Sequence, residues 1–149
     1  MNLAIIQARL TSTRFPGKVL RKVGEYSIIE IIVKRLERSK LLDKIVIAIP
    51  DNESNVELAN FLEQKKFLYF KGSEHDVLSR FVDCAKFYNA TTVVRITGDC
   101  PFVDAKLVDN FINIFNQSNI DYLSNTNPPS YPDGLDAEVF SFNCLSLAN

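Results

Sequence analysis

The sequence predicts an α/β protein in which a mostly parallel sheet lies between two layers of helices. Two observations carry this prediction. Short apolar runs that are typical of buried strands alternate with amphipathic segments of helical period along nearly the whole chain. The alternating segments also have the lengths expected of strands and crossover helices, which favours a three-layer α/β fold.

The apolar runs and their flanking turns define the strands. The run KIVIAI is followed by the turn Pro50-Asp51-Asn52, and TTVVRI is rich in β-branched residues and is followed by Gly98. The predicted strands are Leu3–Ala8, Lys44–Ile49, Phe67–Phe70, Thr92–Ile96, Asp121–Leu123 and Ala137–Phe142.

Apolar stripes and capping residues define the helices. Ser27 with Glu30 three positions later forms a capping-box pattern, and Asp76 and Asp104 are each placed to cap the helix that follows. The predicted helices are Ser27–Ser39, Ser54–Gln64, Val77–Tyr88 and Ala105–Asn116. A further helix begins near Phe142 with no stop signal, so we expect the chain to be the N-terminal and central part of a longer protein, or a natural truncation of one.

Composition limits the class of protein. The 149 residues predict one domain over 1–149, and an apolar fraction of 46% can supply its core. No apolar run has the length of a membrane span and no signal-peptide pattern is present, so no membrane association is expected. The three cysteines lack metal-ligand spacing, which favours free thiols and a cytoplasmic location, and His75 is expected at the surface.

The charge distribution points to a polyanionic ligand. Residues 1–40 hold nine Lys or Arg against three Glu, a balance of +6, so the rest carries −7 of the total of −1. A basic lobe beside acidic segments suits a phosphate ligand held with a divalent cation. Nucleic acid is not expected as a partner, because the aromatic residues do not interleave with the basic cluster.

The first candidate site is the segment IIQARLTSTRFPGKVL, residues 5–20. It places Arg9, Arg14 and Lys18, with three hydroxyl residues and a Pro-Gly turn between them, directly after the first strand. A basic loop between a strand and a helix holds phosphates through fixed cations, hydroxyls and backbone N–H groups. Neither of the glycine-rich phosphate-binding motifs, GxxxxGK[ST] and GxGxxG, occurs, so side chains would make the main contacts to the phosphates. The alternative is that these cations are ordinary surface charges.

The second candidate is the segment RITGDCPFVD, residues 95–104. Asp99 follows a buried strand, where a carboxylate can project into a ligand crevice and bind Mg²⁺ that bridges phosphate oxygens. The alternative is that Asp99 is a turn residue, since Gly-Asp near Pro is ordinary turn chemistry.

Two further features are less specific. In YPDGLDAEVF, Asp136 and Glu138 share a face of an extended segment and could hold a metal or substrate hydroxyls. The alternative, which we prefer on the residues alone, is a hairpin turn at Asp133-Gly134 with exposed acids on an edge strand. Arg80 has apolar neighbours on its helix and either buttresses a loop or pairs with an acid.

These segments in this order resemble the cytidylyltransferases that make CMP-activated sugar acids. The residues that carry the resemblance are IIQARLTSTRFPGKVL, SIIEIIVKRL, KGSEHDVLSRF, RITGDCPFVD and YPDGLDAEVF. Together they cover nearly the whole chain and are most similar to the spore-coat polysaccharide biosynthesis protein F group. The resemblance implies a Rossmann-like nucleotidyltransferase fold.

The resemblance also implies roles for individual residues. The residues implied to contact the CTP phosphates are Arg9, Ser12, Arg14 and Lys18, of which Arg14 and Lys18 are also implied to act in catalysis. Backbone groups near Ala8 would help to read cytosine, and Asp99 would take part in catalysis by coordinating Mg²⁺. Gly72, Asp76 and Arg80 would flank the nucleotide pocket, and Asp136 and Glu138 would face the sugar.

The implied activity is transfer of CMP from CTP to a sugar acid with release of pyrophosphate, for surface polysaccharide or glycan biosynthesis. Family members continue beyond residue 149, where a further metal carboxylate and homodimer contacts are expected, and Phe15 replaces a common leucine. Two alternatives remain open: a nucleotide-binding module without turnover, and a nucleotidyltransferase for another base or a neutral sugar phosphate. The sequence does not identify the sugar.

Overall fold

The computed structural model describes residues 1–13 and 15–149. The strands are β1 (Asn2–Gln7), β2 (Lys22–Val23), β3 (Tyr26–Ser27), β4 (Lys44–Pro50), β5 (Tyr69–Gly72), β6 (Thr92–Thr97), β7 (Tyr122–Ser124) and β8 (Glu138–Ser141). The α-helices are α1 (Ile28–Leu36), α2 (Val56–Gln64), α3 (Val77–Phe87), α4 (Ala105–Gln117) and α5 (Phe142–Ala148). Single 3₁₀ turns span Lys18–Leu20 and Glu53–Asn55.

Six strands form one sheet in the order β5-β4-β1-β6-β8-β7. The strands β1, β4, β5 and β6 are parallel, while β8 runs antiparallel to both β6 and β7. The predicted mostly parallel sheet is therefore confirmed. Because β4 and β6 lie on opposite sides of β1, the carboxyl ends of β1 and β6 flank the switch point of the sheet, where open α/β folds bind ligands.

Helices cover both faces of the sheet, which confirms the three layers. Side chains such as Ile6 and Ile96 pack against α1, α2 and α4 on one face. Side chains such as Ile5 and Val93 pack against α3 and, through Leu145, against α5 on the other. Burial on both faces explains why the strands are almost continuously apolar in sequence.

The predicted caps are confirmed and fix where the helices begin. Ser27 and Glu30 form a reciprocal capping box at the start of α1. The Asp76 carboxylate accepts a hydrogen bond from the Ser79 backbone N–H at 2.8 Å. The Asp104 carboxylate accepts from the first turn of α4. The Asp104 cap ends the loop that follows β6 and so fixes the position of that loop.

The structure differs from the sequence predictions in two places. The hairpin of β2 and β3 was not predicted, because strands of two residues carry no periodic pattern; its turn contains Gly24 at φ 66°. The prediction of an edge strand with exposed acids after Gly134 is wrong. Strand β8 lies between β6 and β7, so Glu138 is largely enclosed by neighbouring strands. Periodicity indicates that a strand exists but not which strands flank it.

Among the described residues, no helix combines the length and the apolar composition that crossing a bilayer requires.

Candidate functional site

An open cleft lies beyond the carboxyl ends of β1 and β6. The loop after β1 forms one wall, and the end of β6 with its following turn forms the other. The residues that line it are Gln7, Ala8, Arg9, Ser12, Thr13, Lys18, Val19, Arg95, Thr97, Gly98 and Asp99. The cleft therefore lies at the switch point and is lined by cations, hydroxyls and one carboxylate.

Local hydrogen bonds hold the loop after β1 in place. The Ala8 N–H donates to the Ala48 carbonyl at 3.2 Å, and the Leu10 N–H donates to the buried Asn55 side chain at 2.9 Å. The Gly17 N–H closes the loop by donating to the Leu10 carbonyl at 2.9 Å. Gly17 has φ 68°, a conformation that favours glycine. These hydrogen bonds fix the start of the loop next to β1 and its end next to the 3₁₀ turn that begins at Lys18.

Gly98 allows the two walls of the cleft to approach each other. Its N–H donates to the Gln7 carbonyl at 2.8 Å. A Cβ atom at this position would lie 2.8 Å from the Gln7 carbonyl oxygen and 3.1 Å from the Ala8 Cβ. Any larger residue would push the turn away from β1, so glycine is what brings Asp99 next to the basic loop.

Lys18 and Asp99 form an ion pair across the cleft, although 81 residues separate them in sequence. Partial burial raises the pKa of the Asp99 carboxyl, but hydrogen bonds from Lys18 and Thr97 and the charge of Lys18 outweigh this and lower it below its ordinary value. Asp99 is therefore ionised at neutral pH. Its side chain stays 41% exposed, so a ligand can reach it.

The Asp99 carboxylate fits what Mg²⁺ requires of a protein. Mg²⁺ is commonly bound by one or two carboxylates together with substrate phosphates and water. Within residues 1–13 and 15–149, no group of three His, Cys, Asp or Glu side chains is placed to hold a metal. Among the described residues, Asp99 is the carboxylate that lines the cleft and could contribute to such a site.

Of the side chains that the structure describes, Arg80 is the largest that is fully buried, and it lies beside the cleft. It is 1% exposed, and its Cγ would lie 2.9 Å from a Cβ atom at Gly72. Its Nη1 donates to the Ser73 carbonyl, while its Nε has no partner among the described residues. Burial and the nearby charge of Arg9 lower the pKa of Arg80, and Glu74 partly opposes this. Arg80 thus buttresses the turn after β5.

Arg95, on the β6 wall of the cleft, forms a second ion pair with Glu138. They face each other directly in the antiparallel register of β6 and β8. Glu138 lines the apolar groove between α3 and α5, which Arg95 also reaches. Burial raises the pKa of the Cys100 thiol, and the charges of Asp99, Asp136 and Asp133 raise it further, so Asp136 lies near the turn after β6.

Five of the residues predicted to form the site lie together in the cleft: Ala8, Arg9, Ser12, Lys18 and Asp99. Gly72 and Arg80 lie beside it, and Arg80 is near enough to Arg9 for their charges to interact. The Asp76 carboxylate caps α3. Arg14 lies outside the described residues. The roles of all these residues, and of Asp136 and Glu138 toward a sugar, stay predictions.

Three polar cleft residues, Gln7, Arg95 and Thr97, lie within the predicted candidate segments, but the sequence predictions gave them no individual role. Each carries a signal that could have identified it. Gln7 and Thr97 are the last residues of their parallel strands, the position from which side chains reach a switch-point crevice. Arg95 is a cation within an apolar strand, where a charge requires a partner or a ligand.

A cluster of cations and hydroxyls at the switch point of a mostly parallel sheet is typical of Rossmann-like α/β proteins, which bind nucleotides at this place. The chain belongs to the cytidylyltransferase family, whose profile matches residues 3–147. The family resemblance that the motifs indicated is therefore confirmed.

Individual relatives agree with this assignment. The spore coat polysaccharide biosynthesis protein SpsF of Bacillus subtilis is 40% identical over 147 residues, which are 96% of this chain and 60% of that protein. The 3-deoxy-manno-octulosonate cytidylyltransferase of Fusobacterium nucleatum is 30% identical over 117 residues, 78% of this chain and 46% of that protein. A solved cytidylyltransferase from Leptospira borgpetersenii superimposes with a TM-score of 0.91 at 32% identity, covering 98% of this chain and 62% of that one.

The chain thus spans about three-fifths of the length of the Bacillus and Leptospira relatives.

Proposed function

We propose that this chain supplies the nucleotide-binding part of an enzyme that transfers CMP from CTP to a sugar acid and releases pyrophosphate, in the biosynthesis of a surface polysaccharide or glycan. The observation that carries the proposal is the meeting of the basic β1 loop with the Asp99 carboxylate in a switch-point cleft. Membership of the cytidylyltransferase family supports CTP as the donor. The names of the Fusobacterium and Bacillus relatives support a sugar acid and a polysaccharide.

The β1 loop is proposed to hold the triphosphate. Arg9 and Lys18 supply fixed positive charge and Ser12 supplies a hydroxyl donor from the same wall of the cleft. Arg14 is predicted to add a further cation. Arg80 and Gly72 are proposed to shape the adjoining nucleotide pocket, with backbone groups near Ala8 reading the base.

The proposed reaction is an in-line displacement at the α-phosphorus. The anomeric hydroxyl oxygen of the sugar acid forms the new P–O bond while the bond from the α-phosphorus to the bridging oxygen breaks. The hydroxyl proton passes to solvent, and pyrophosphate leaves with the electron pair of the broken bond. The Lys18 ammonium group, which lies beside the site, stabilises the negative charge that develops on the departing pyrophosphate.

Asp99 is proposed to hold Mg²⁺. When bound there, the ion would neutralise phosphate charge and polarise the reacting phosphoryl group. Because Lys18 now pairs with Asp99, the lysine would turn from the carboxylate toward the phosphates when the nucleotide binds. The three free cysteines support a reducing, cytoplasmic setting, and we further propose one domain over residues 1–149 and a homodimer for the full-length protein.

Calorimetric titration with CTP, ATP, GTP and UTP, each with and without Mg²⁺, tests this proposal. We expect tighter binding of CTP than of the other nucleotides, strengthened by Mg²⁺, and loss of that binding in Arg9→Ala. Arg38→Ala is the matched control, since Arg38 is an exposed arginine that does not line the cleft. A preference for another base would support the alternative nucleotidyltransferase, and no nucleotide binding by folded protein would contradict the proposal.

Pyrophosphate release by the full-length protein, in the presence of CTP and sugar acids, then separates an enzyme from a binding module. CTP binding without sugar-dependent pyrophosphate release would favour the module.

A further inference from the structure

Arg95 is a charged residue at a position where the fold alone would favour an apolar one. It lies in β6, whose side chains Val93, Val94 and Ile96 are fully buried. Its own side chain is 34% exposed and lines the cleft with Thr97 and Asp99. A cation placed among buried strand residues costs free energy unless it is paired or serves a ligand.

Glu138 fixes the orientation of the Arg95 side chain without occupying all of its hydrogen-bond donors. The two residues are direct partners in the β6–β8 register, and the Glu138 carboxylate is 19% exposed. The hydrogen bond to Glu138 uses one guanidinium nitrogen, Nη1. Within residues 1–13 and 15–149, Nε and Nη2 of Arg95 donate to no other protein atom. The guanidinium therefore keeps donors that a ligand in the cleft can use.

The direction of the proposed reaction places the acceptor on the Arg95 side. In an in-line displacement the entering oxygen and the leaving pyrophosphate lie on opposite sides of the α-phosphorus. The cations Arg9 and Lys18, which attract the pyrophosphate, belong to the wall formed by the β1 loop. The acceptor then enters from the other wall, formed by β6 next to β8, and Arg95 is the cation that this wall contributes to the cleft lining.

We propose that the Arg95 guanidinium, oriented by Glu138, binds the carboxylate of the acceptor sugar acid. This inference rests on the proposed function and assigns the residue that would select an acid over a neutral sugar. The planar guanidinium matches a carboxylate through two parallel N–H donors, which a lysine cannot reproduce. Glu138 is then a positioning residue that acts through Arg95 rather than a direct contact of the sugar.

The test compares an acid with its neutral amide in the full-length protein. The probes are 3-deoxy-manno-octulosonate and N-acetylneuraminate, each with its C1 carboxamide, and the readout is CTP-dependent pyrophosphate release. In Arg95→Gln we expect the KM for the acid to rise about 10- to 100-fold, the range of a charge-assisted bidentate contact. The preference of the wild type for acid over carboxamide should fall by the same factor, while the Kd for CTP changes less than about twofold.

Three variants at Arg95 and Glu138, with one control elsewhere, separate binding from folding. Arg95→Gln with Glu138→Gln removes both charges and leaves no unpaired carboxylate, and it should show the same loss of acid preference. Glu138→Gln alone should raise the KM for the acid with little change in kcat, and Arg95→Lys should restore only part of the preference. Arg38→Gln, at an exposed arginine that does not line the cleft, should change nothing.

The possible failures point to different errors. Turnover with an unchanged KM and unchanged acid preference in Arg95→Gln would overturn this inference and leave the proposed function standing. Loss of CTP affinity in both the single and the double variant would assign Arg95 to the nucleotide or to the fold, and would also overturn it. Absence of pyrophosphate release with every acid, in wild-type protein that binds CTP, would overturn both proposals.

Discussion

Two lysine–carboxylate pairs in this protein differ in what surrounds the carboxylate. Glu30, at the start of α1, is 6% exposed and accepts hydrogen bonds from the Ser27 N–H and hydroxyl at 2.8 Å and from the Lys65 ammonium at 2.7 Å. Asp99 faces an open cleft and is 41% exposed beside Lys18. A carboxylate whose acceptor positions are filled stabilises the fold, whereas one with an open side can exchange its lysine for a ligand.

Charge does not distinguish the two pairs. Burial raises the pKa of Glu30, but the hydrogen bonds from Lys65 and Ser27 and the charge of Lys65 outweigh it and bring the pKa from 4.5 to about 2. The pKa of Asp99 is also lowered, by Lys18 and Thr97. Both carboxylates are therefore ionised at neutral pH. The two pairs differ in whether a ligand can reach the carboxylate, and the predictions below test that difference.

Lys18→Ala should give the largest effect, and it should act on turnover rather than on folding stability. We expect pyrophosphate release by the full-length protein to fall about 10²-fold or more, because one well-placed donor to developing charge is worth roughly that factor. The free energy of unfolding should change by less than about 1 kcal/mol, since an exposed ion pair contributes little. Urea titration measures the second quantity.

Lys44→Ala is the control for Lys18→Ala, because Lys44 is an exposed lysine at the opposite end of the parallel strands. A loss of turnover below threefold in Lys18→Ala would remove Lys18 from the chemistry. A loss of unfolding free energy in Lys18→Ala as large as the one expected below for Glu30→Gln would show that the Lys18–Asp99 pair also stabilises the fold.

The stability of the wild-type protein should fall as pH decreases from about 4.5 to about 2. The folded pKa of Glu30, about 2, lies below its ordinary value of 4.5, so its contribution is present above that value and is lost as the folded carboxylate takes up a proton. A pKa difference of this size corresponds to about 3 kcal/mol. Urea titrations across this pH range give the free energy of unfolding for wild type and for Glu30→Gln. The slope of that free energy against pH should be steeper in wild type, by the uptake of about one proton on unfolding. Equal slopes would show that Glu30 has an ordinary pKa in the folded state.

Glu30→Gln should lower the free energy of unfolding at pH 7 by about 2 kcal/mol, because it removes the charge that Lys65 and two Ser27 donors stabilise. Turnover at 25 °C should stay within about twofold of wild type. Glu37→Gln, at an exposed acid directly after α1, is the matched control and should be nearly neutral. A large loss of turnover with unchanged stability would mean that the Glu30–Lys65 pair also contributes to the functional site.

Asp104→Ala should have the smallest effect, a loss of about 1 kcal/mol in the free energy of unfolding. The Asp104 carboxylate accepts from the Lys106 and Leu107 N–H groups, each at 3.0 Å, and so caps α4 just beyond the Asp99 turn. Thermal unfolding measures the change, with Lys106→Ala as a control on the same exposed turn. No measurable change would show that the cap contributes little to folding.

The sequence predicted the parts of the fold that depend on local patterns. Caps such as Ser27 with Glu30 are four-residue signals, and an apolar run followed by Arg9 and Lys18 is a local strand-and-loop pattern. The Asp99 turn was recognisable for the same reason, since its glycine, its carboxylate and the preceding strand are adjacent in sequence.

The pairings within the site could not be predicted, because they depend on strand order and register. Lys18 meets Asp99 only because β6 docks beside β1, and Arg95 meets Glu138 only because β8 reverses beside β6. The sequence indicated neither that β6 pairs with β1 nor that β8 runs antiparallel to β6. A shift of one residue in register would turn Arg95 to the other face of the sheet. The burial of Arg80 under Gly72 likewise depends on how α3 packs against β5.

The central place of β1 in the sheet has a consequence for synthesis of the protein on the ribosome. Leu3 pairs with Lys44 on one side, and Asn2 pairs with Thr92 on the other. At about 5–20 residues per second, roughly 5–20 s pass between the emergence of β1 and that of β6. During that time the nascent chain carries this largely apolar strand without one of its two neighbours. Long-range pairings of this kind slow folding. The cleft between the β1 loop and Asp99 can therefore form only after β6 has been synthesised.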